Sequence, residues 1–128
     1  MDLKRISSGS RFEELAAYSR AVVDDLYIHV SGTVGPNPET GTMPEDAAEQ
    51  ARNIVRLLAG VLAAEGADFR HVVRNRVFLT DPSDLMAVAA VLRETFGASP
   101  PANTTLINGI PAPGAKVEIE ITARRPAA

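Results

Sequence analysis

Hydrophobic positions repeat along this chain with two different periods. Ala47, Ala51, Ile54, Val55, Leu58 and Leu62 recur at the spacing that lines one face of an α-helix. Thr42 and Glu45 precede them at capping-box spacing, and Pro44 is tolerated in a first turn. With Gly66 as a natural stop, the pattern predicts a helix over 44–65. A second helix is predicted from Asp81-Pro82-Ser83-Asp84, with Asp81 as N-cap and Pro82 as its first residue. Leu85, Val88, Ala89, Leu92 and Phe96 form its apolar stripe. Gly97 ends it, and Pro100-Pro101 prevents continuation.

The other period is two. Leu26, Ile28 and Val30 alternate with Tyr27, His29 and Ser31. Val117, Ile119, Ile121 and Ala123 alternate with Glu118, Glu120, Thr122 and Arg124. Further strands are predicted over His71–Thr80 and Thr104–Asn108, with a short one at Leu3–Ile6. The order β-β-α-β-α-β-β contains two β-α-β crossovers, which imply parallel pairing at those steps and both helices on one face of a mixed sheet. The opposite face is left bare, carrying Tyr27, His29, Ser31, Glu118, Glu120 and Thr122. A bare polar face of that kind favours an oligomer that covers part of it.

Composition narrows the class. The chain has 128 residues, 45% hydrophobic and 23% charged, which fits a single globular domain over 1–128. Its net charge of −3, without a basic block, argues against a nucleic-acid partner. With no Cys and two distant His residues, His29 and His71, no metal site is expected. No apolar run reaches membrane-spanning length, and Met1–Ile6 lacks the apolar stretch of a signal peptide. The expectation is a cytoplasmic protein with no membrane contact.

Several residues could carry chemistry. Glu118 and Glu120 share a strand face, and paired carboxylates can divide acid and base roles; from the strand alone a solvated face is the commoner reading. Ser31-Gly32 at a strand end can offer a hydroxyl and a backbone N–H to a ligand, or simply make a turn. His29 reads as a hydrogen-bonded structural histidine. Arg74 and Arg76 share a face and suit surface or subunit ion pairs better than a carboxylate clamp. Arg124-Arg125 reads as a solvated tail, and Asn103 as a turn residue or a pocket amide.

Taken in order, several stretches resemble the reactive intermediate deaminase (Rid, YjgF-like) family. They are Tyr18, Val30-Ser31-Gly32, Asn37-Pro38-Glu39-Thr40-Gly41 and Asp46–Asn53, then Val77-Phe78-Leu79-Thr80-Asp81, Pro101-Ala102-Asn103-Thr104-Thr105 and Lys116-Val117-Glu118-Ile119-Glu120. The resemblance implies a chorismate-mutase-like α+β fold and a homotrimer with clefts between subunits. It also implies hydrolysis of enamines and imines, such as 2-aminoacrylate, to a keto acid and ammonia, with no metal or organic cofactor. It makes Glu118 the catalytic residue that positions water. Tyr18, Ser31, Asn103 and Glu120 become pocket residues for a small-molecule substrate.

One position departs from the family. Where the pattern reads Pro-Ala-Arg, this chain has Pro101-Ala102-Asn103, an Arg-lacking variant. A guanidinium holds a carboxylate through paired charge-assisted bonds, each contributing about 1.5–3 kcal/mol, against about 1 kcal/mol for a neutral bond. The substitution therefore implies a substrate other than 2-aminoacrylate, unless Arg20 or Arg76 takes over anion binding. The alternative function is a non-catalytic trimeric module that binds a small metabolite.

Overall fold

A computed structural model describes residues 3–127. Six strands form one mixed sheet: β1 (Lys4–Ile6), β2 (Ala21–Val23), β3 (Tyr27–Thr33), β4 (Val72–Leu79), β5 (Ala102–Ile107) and β6 (Val117–Arg124). The helices are α1 (Arg11–Ala16), α2 (Ala47–Ala64) and α3 (Leu85–Phe96). The sheet order is β1-β2-β3-β6-β4-β5.

The two long helices and the strong alternating strands fall where periodicity predicts them. Ile54, Leu58 and Leu62 of α2 are fully buried against Ile28, Val77, Val117 and Ile119 of the sheet. Burial of each such side chain contributes roughly 1.5–3 kcal/mol. One short helix and one strand, α1 and β2, were not expected. Both are too short to show a period.

The start of α2 differs from the prediction. It begins at Ala47 with Asp46 as N-cap, and Thr42 bonds to Thr40 instead of capping a helix. The buried Gln50 accounts for this: its Nε2 donates to the Pro44 and Gly114 carbonyls, and its Oε1 accepts from Lys116 N–H. Those bonds hold 44–46 as a strap across the helix end. Asp81 does act as a cap, but over a 3-10 turn at Pro82–Asp84 that precedes α3. The α3 stripe is also split. Val88, Val91 and Phe96 are buried in the core, Ala89 and Leu92 are half-buried and Leu85 is exposed, and all of these but Val91 border an open cavity.

Only one of the two crossovers joins adjacent strands. β4 and β5 pair in parallel, but β6 lies between β3 and β4 and is antiparallel to both. β3 and β4 therefore run parallel without touching. The uncovered face is the expected one: His29 pairs with Thr122, Arg76 with Glu120 and Phe78 with Glu118.

Candidate functional site

The strand expected to end at Ser31 continues to Thr33 through a bulge. Val30 pairs with Ile121 and Thr33 with Ile119, so Ser31 and Gly32 together oppose Glu120. The extra residue reverses the alternation, burying Thr33 on the core side. Bulges re-aim side chains locally, and this one brings Gly32 against the neighbouring strand. A Cβ on Gly32 would stand 2.9 Å from Glu118 Oε2. Only glycine leaves room for the carboxylate where it lies.

Glu118 is half-buried on the uncovered face and forms no hydrogen bond or ion pair with any of the described residues. Burial pushes its carboxyl above the usual carboxylate range. The nearby Arg20 pulls it back down, and Glu120 adds to the rise. Glu120 itself is tied to Arg76, with Nη1 to Oε1 at 3.5 Å. The two carboxylates thus share a face but differ in circumstance, one unpartnered and one paired.

Ser31 lies beside Arg20, whose carbonyl accepts the Ser31 N–H. The Ser31 hydroxyl donates to Ser19 O at 2.7 Å. Tyr18 and Ser31 line one cleft together with Arg5, Glu13, Glu14 and Val22. Arg20 follows the cleft residue Ser19 in the chain, with its guanidinium 6.0 Å from the Tyr18 ring centroid and Nη2 donating to Gly32 O at 2.7 Å. Tyr18, Ser31 and Glu118 therefore gather around the β3 bulge, as three of the expected site residues.

Asn103 does not join them. It pairs with the buried Asn75 across the β4–β5 ladder, which puts it on the helix-bearing side of the sheet. Its Nδ2 donates to Asn75 Oδ1 at 2.7 Å, and its Oδ1 accepts from the Thr105 hydroxyl at 3.1 Å. It is a strand residue, not a turn residue. It borders the open cavity of about 390 Å³ that Leu85, Val88, Leu92 and Phe96 line with apolar carbon. Within one chain, Asn103 and Glu118 are on opposite faces, so a site containing both needs a second copy.

The remaining candidates have structural roles. His29 Nε2 bonds Asp24 Oδ2 at 2.8 Å, the histidine partner that spacing did not name. Asp24 also accepts from Leu26 and Tyr27 N–H; led by the His29 bond, these contacts hold its carboxyl down to about 2. His71 completes a capping box with Asp68, and Arg74 donates to Thr104 at 2.7 Å. Arg124-Arg125 is exposed, as expected, but is not a loose tail. Arg124 ends β6 over the Tyr27 ring, and Arg125 is bonded to Leu26 and Asp24 carbonyls. Among the described residues no His, Asp or Glu cluster is placed to hold a metal ion, and no helix is long and apolar enough to cross a membrane.

Two groups at the site were not singled out from the sequence as site residues in their own right. Asn75 interrupts the apolar side of β4, a polar residue where alternation demands a buried one. Gly32 has no sequence signal beyond its neighbour Ser31, since its need for a missing side chain arises from Glu118 on another strand.

Comparison with known proteins gives a consistent result. The family model described as Endoribonuclease L-PSP matches residues 8–125. A 2-iminobutanoate/2-iminopropanoate deaminase from Rattus norvegicus is 34% identical over 121 residues, spanning 94% of this chain and 88% of that protein. Protein DfrA from Myxococcus xanthus is 38% identical and covers 96% of both. Among solved structures, a member of the YjgF/YER057c/UK114 family from Mycobacterium tuberculosis superposes with a TM-score of 0.85 at 35% identity, over 96% of this chain and 99% of that one. The matched span, the relatives and the shared architecture agree: this chain belongs to the Endoribonuclease L-PSP family, the YjgF-like or Rid family of the resemblance.

Proposed function

We propose that this protein is a metal-independent hydrolase that deaminates an imine or enamine of a small metabolite, in clefts between the subunits of a homotrimer in the cytoplasm. The observation that carries this reading is Glu118: a half-buried carboxylate with a raised pKa and no partner among the described residues, facing an uncovered surface. Such a group suits a general base operating closer to neutral pH than an exposed glutamate. Relatives named as imine deaminases support the reaction class.

The chemistry needs few groups. Glu118 accepts a proton from a water as the water oxygen bonds to the C=N carbon, and the carboxyl then gives that proton to the nitrogen, leaving a neutral carbinolamine. Glu118 next accepts the carbinolamine O–H proton as the carbonyl forms; the C–N bond breaks, its electron pair leaves with nitrogen, and the carboxyl delivers the proton there to release ammonia, so the protein is unchanged. Tyr18 and Ser31 border the cleft where the substrate would lie, with Glu120 further along the strand. The Asn103 wall comes from a second copy, because one chain cannot bring it to Glu118. Since Asn103 is a neutral amide already bonded to Asn75 and Thr105, the reading assigns a substrate other than 2-aminoacrylate unless another guanidinium holds the carboxylate.

A second reading, a trimeric module that binds a metabolite without turning it over, is favoured by that same occupied amide. Ammonia release from a panel of imines and enamines generated in situ separates the two. Release by the wild type and its loss in Glu118→Ala supports the enzyme. Binding without release, or equal release by both proteins, overturns it. Light scattering is expected to give about three times the 13.6 kDa chain mass; a monomer at micromolar concentration would leave Asn103 out of the site.

A further inference from the structure

We infer that Arg20 is the anion-binding residue of this site, holding the carboxylate of a small ligand on the same wall as Glu118. This inference rests on the proposed deaminase reading and gives its substrate a chemical class, a carboxylic acid.

The guanidinium is held in place but largely unspent. Nη2 donates to Gly32 O at 2.7 Å, the one hydrogen bond its side chain makes among the described residues. Nε is buried without a partner. A guanidinium carries five N–H donors in a rigid fork, so most of its donor capacity has no acceptor among the described residues. Buried donors without acceptors are rare, so this fork is left incompletely satisfied by its own chain. Neither neighbouring carboxylate supplies an acceptor. Glu13 turns to Ser7 and Ser8, and Glu118 forms no ion pair with Arg20.

The other guanidiniums on this face are committed or stand further out. Arg74 donates to Thr104 and Arg76 to Glu120. Arg124 lies over Tyr27 at the far end of β3. Arg5 lines the outer cleft but is exposed. Arg20 alone of these sits between the Tyr18 ring, the Ser31–Gly32 bulge and Glu118. A planar carboxylate there would accept from the fork while the adjoining carbon faced Glu118. The anion site would thus have moved from the sheet edge, where Asn103 stands, to the opposite wall of the cleft.

The test measures binding, so it does not depend on turnover. Calorimetric titration uses sodium 2-oxobutanoate, the keto acid that hydrolysis of a 2-imino acid releases, and its methyl ester as an uncharged control. The wild type is expected to prefer the acid. Arg20→Met should lose at least tenfold in affinity for the acid, with no change for the ester, and Arg5→Met should retain affinity. A solely structural Arg20 would lower the melting temperature of Arg20→Met without altering the preference for acid over ester. Nitrogen NMR of the wild type gives a second readout that does not depend on the folding of Arg20→Met: the Arg20 Nε–H resonance, assigned by its loss in Arg20→Lys, should shift as 2-oxobutanoate is added. An unshifted resonance, no preference for the acid, or loss of affinity in Arg5→Met instead of Arg20→Met would overturn the inference. Arg20-dependent binding with no ammonia release from any imine would leave the anion site standing and remove the deaminase.

Discussion

The β3 bulge and the β5 edge carry polar groups of similar size in opposite states. At the edge, Asn103, Asn75 and Thr105 bond one another, and their amides are spent inside the chain. At the bulge, Glu118 and most of the Arg20 fork have no partner among the described residues, although both are half-buried. Polar groups satisfied at home stabilise a fold and are poor at capturing ligands. Charged groups left unpaired in a partly desolvated place weaken the fold, and they bind or react strongly for the same reason. The bulge therefore reads as the chemical wall of the cleft, and the edge as its neutral one.

The largest test of this contrast is Glu118→Gln. The swap keeps shape but removes the base, and ammonia release is expected to fall by about 10²–10⁴. Stability has a definite sign. The folded pKa of Glu118 is raised, so the native state holds its proton to higher pH than the unfolded chain. Stability thus falls as pH rises from the unfolded value through the raised one, and ionised Glu118 is a net cost at pH 7. The melting temperature of Glu118→Gln at pH 7 should be equal to or above that of the wild type. Near-wild-type turnover would erase the difference between the two regions.

Gly32→Ala probes the same carboxylate by displacement. The added Cβ would meet Oε2 at 2.9 Å, and the flexible end of Glu118 must move aside. The fold should survive while turnover drops by about 10–100-fold, as expected for a base shifted by a fraction of an ångström. Full activity would mean that the resting position of Glu118 does not matter.

Asn103→Arg tests the neutral wall. It breaks the bond to Asn75 and leaves a buried amide unpaired, a cost of about 1–3 kcal/mol visible in chemical denaturation. It should also raise activity on 2-aminoacrylate by about tenfold, through a charge-assisted bond to its carboxylate. Lost stability without any gain would show that the edge takes no part in binding.

Glu120→Gln is the mildest change. Its pair with Arg76 is partly exposed and long, so stability should move by less than about 1 kcal/mol. Removing a like charge lowers the Glu118 pKa, and the acid limb of the pH–rate profile should shift to lower pH. A shift in the other direction would mean that Glu120 supports Glu118 by some route other than its charge.

Periodicity by itself determined α2, α3, the long strands and the identity of the uncovered face, because each depends on which side of one element is apolar. Motif order likewise sufficed to identify the family. The β1–β2 end was less legible: three-residue strands and a six-residue helix show no period. Tertiary structure alone decided three matters. The insertion of β6 between β3 and β4 is a pairing of distant segments, on which local pattern is silent. The bulge at Ser31–Gly32 appears only when the β3 register is measured against β6. The side taken by Asn103 was hidden because both faces of β5 mix polar and apolar residues, Ala102, Thr104 and Leu106 against Asn103, Thr105 and Ile107. Alternation identifies a buried face only where one side is apolar throughout. On β5 the choice fell to Asn75, whose buried amide draws Asn103 to the helix side.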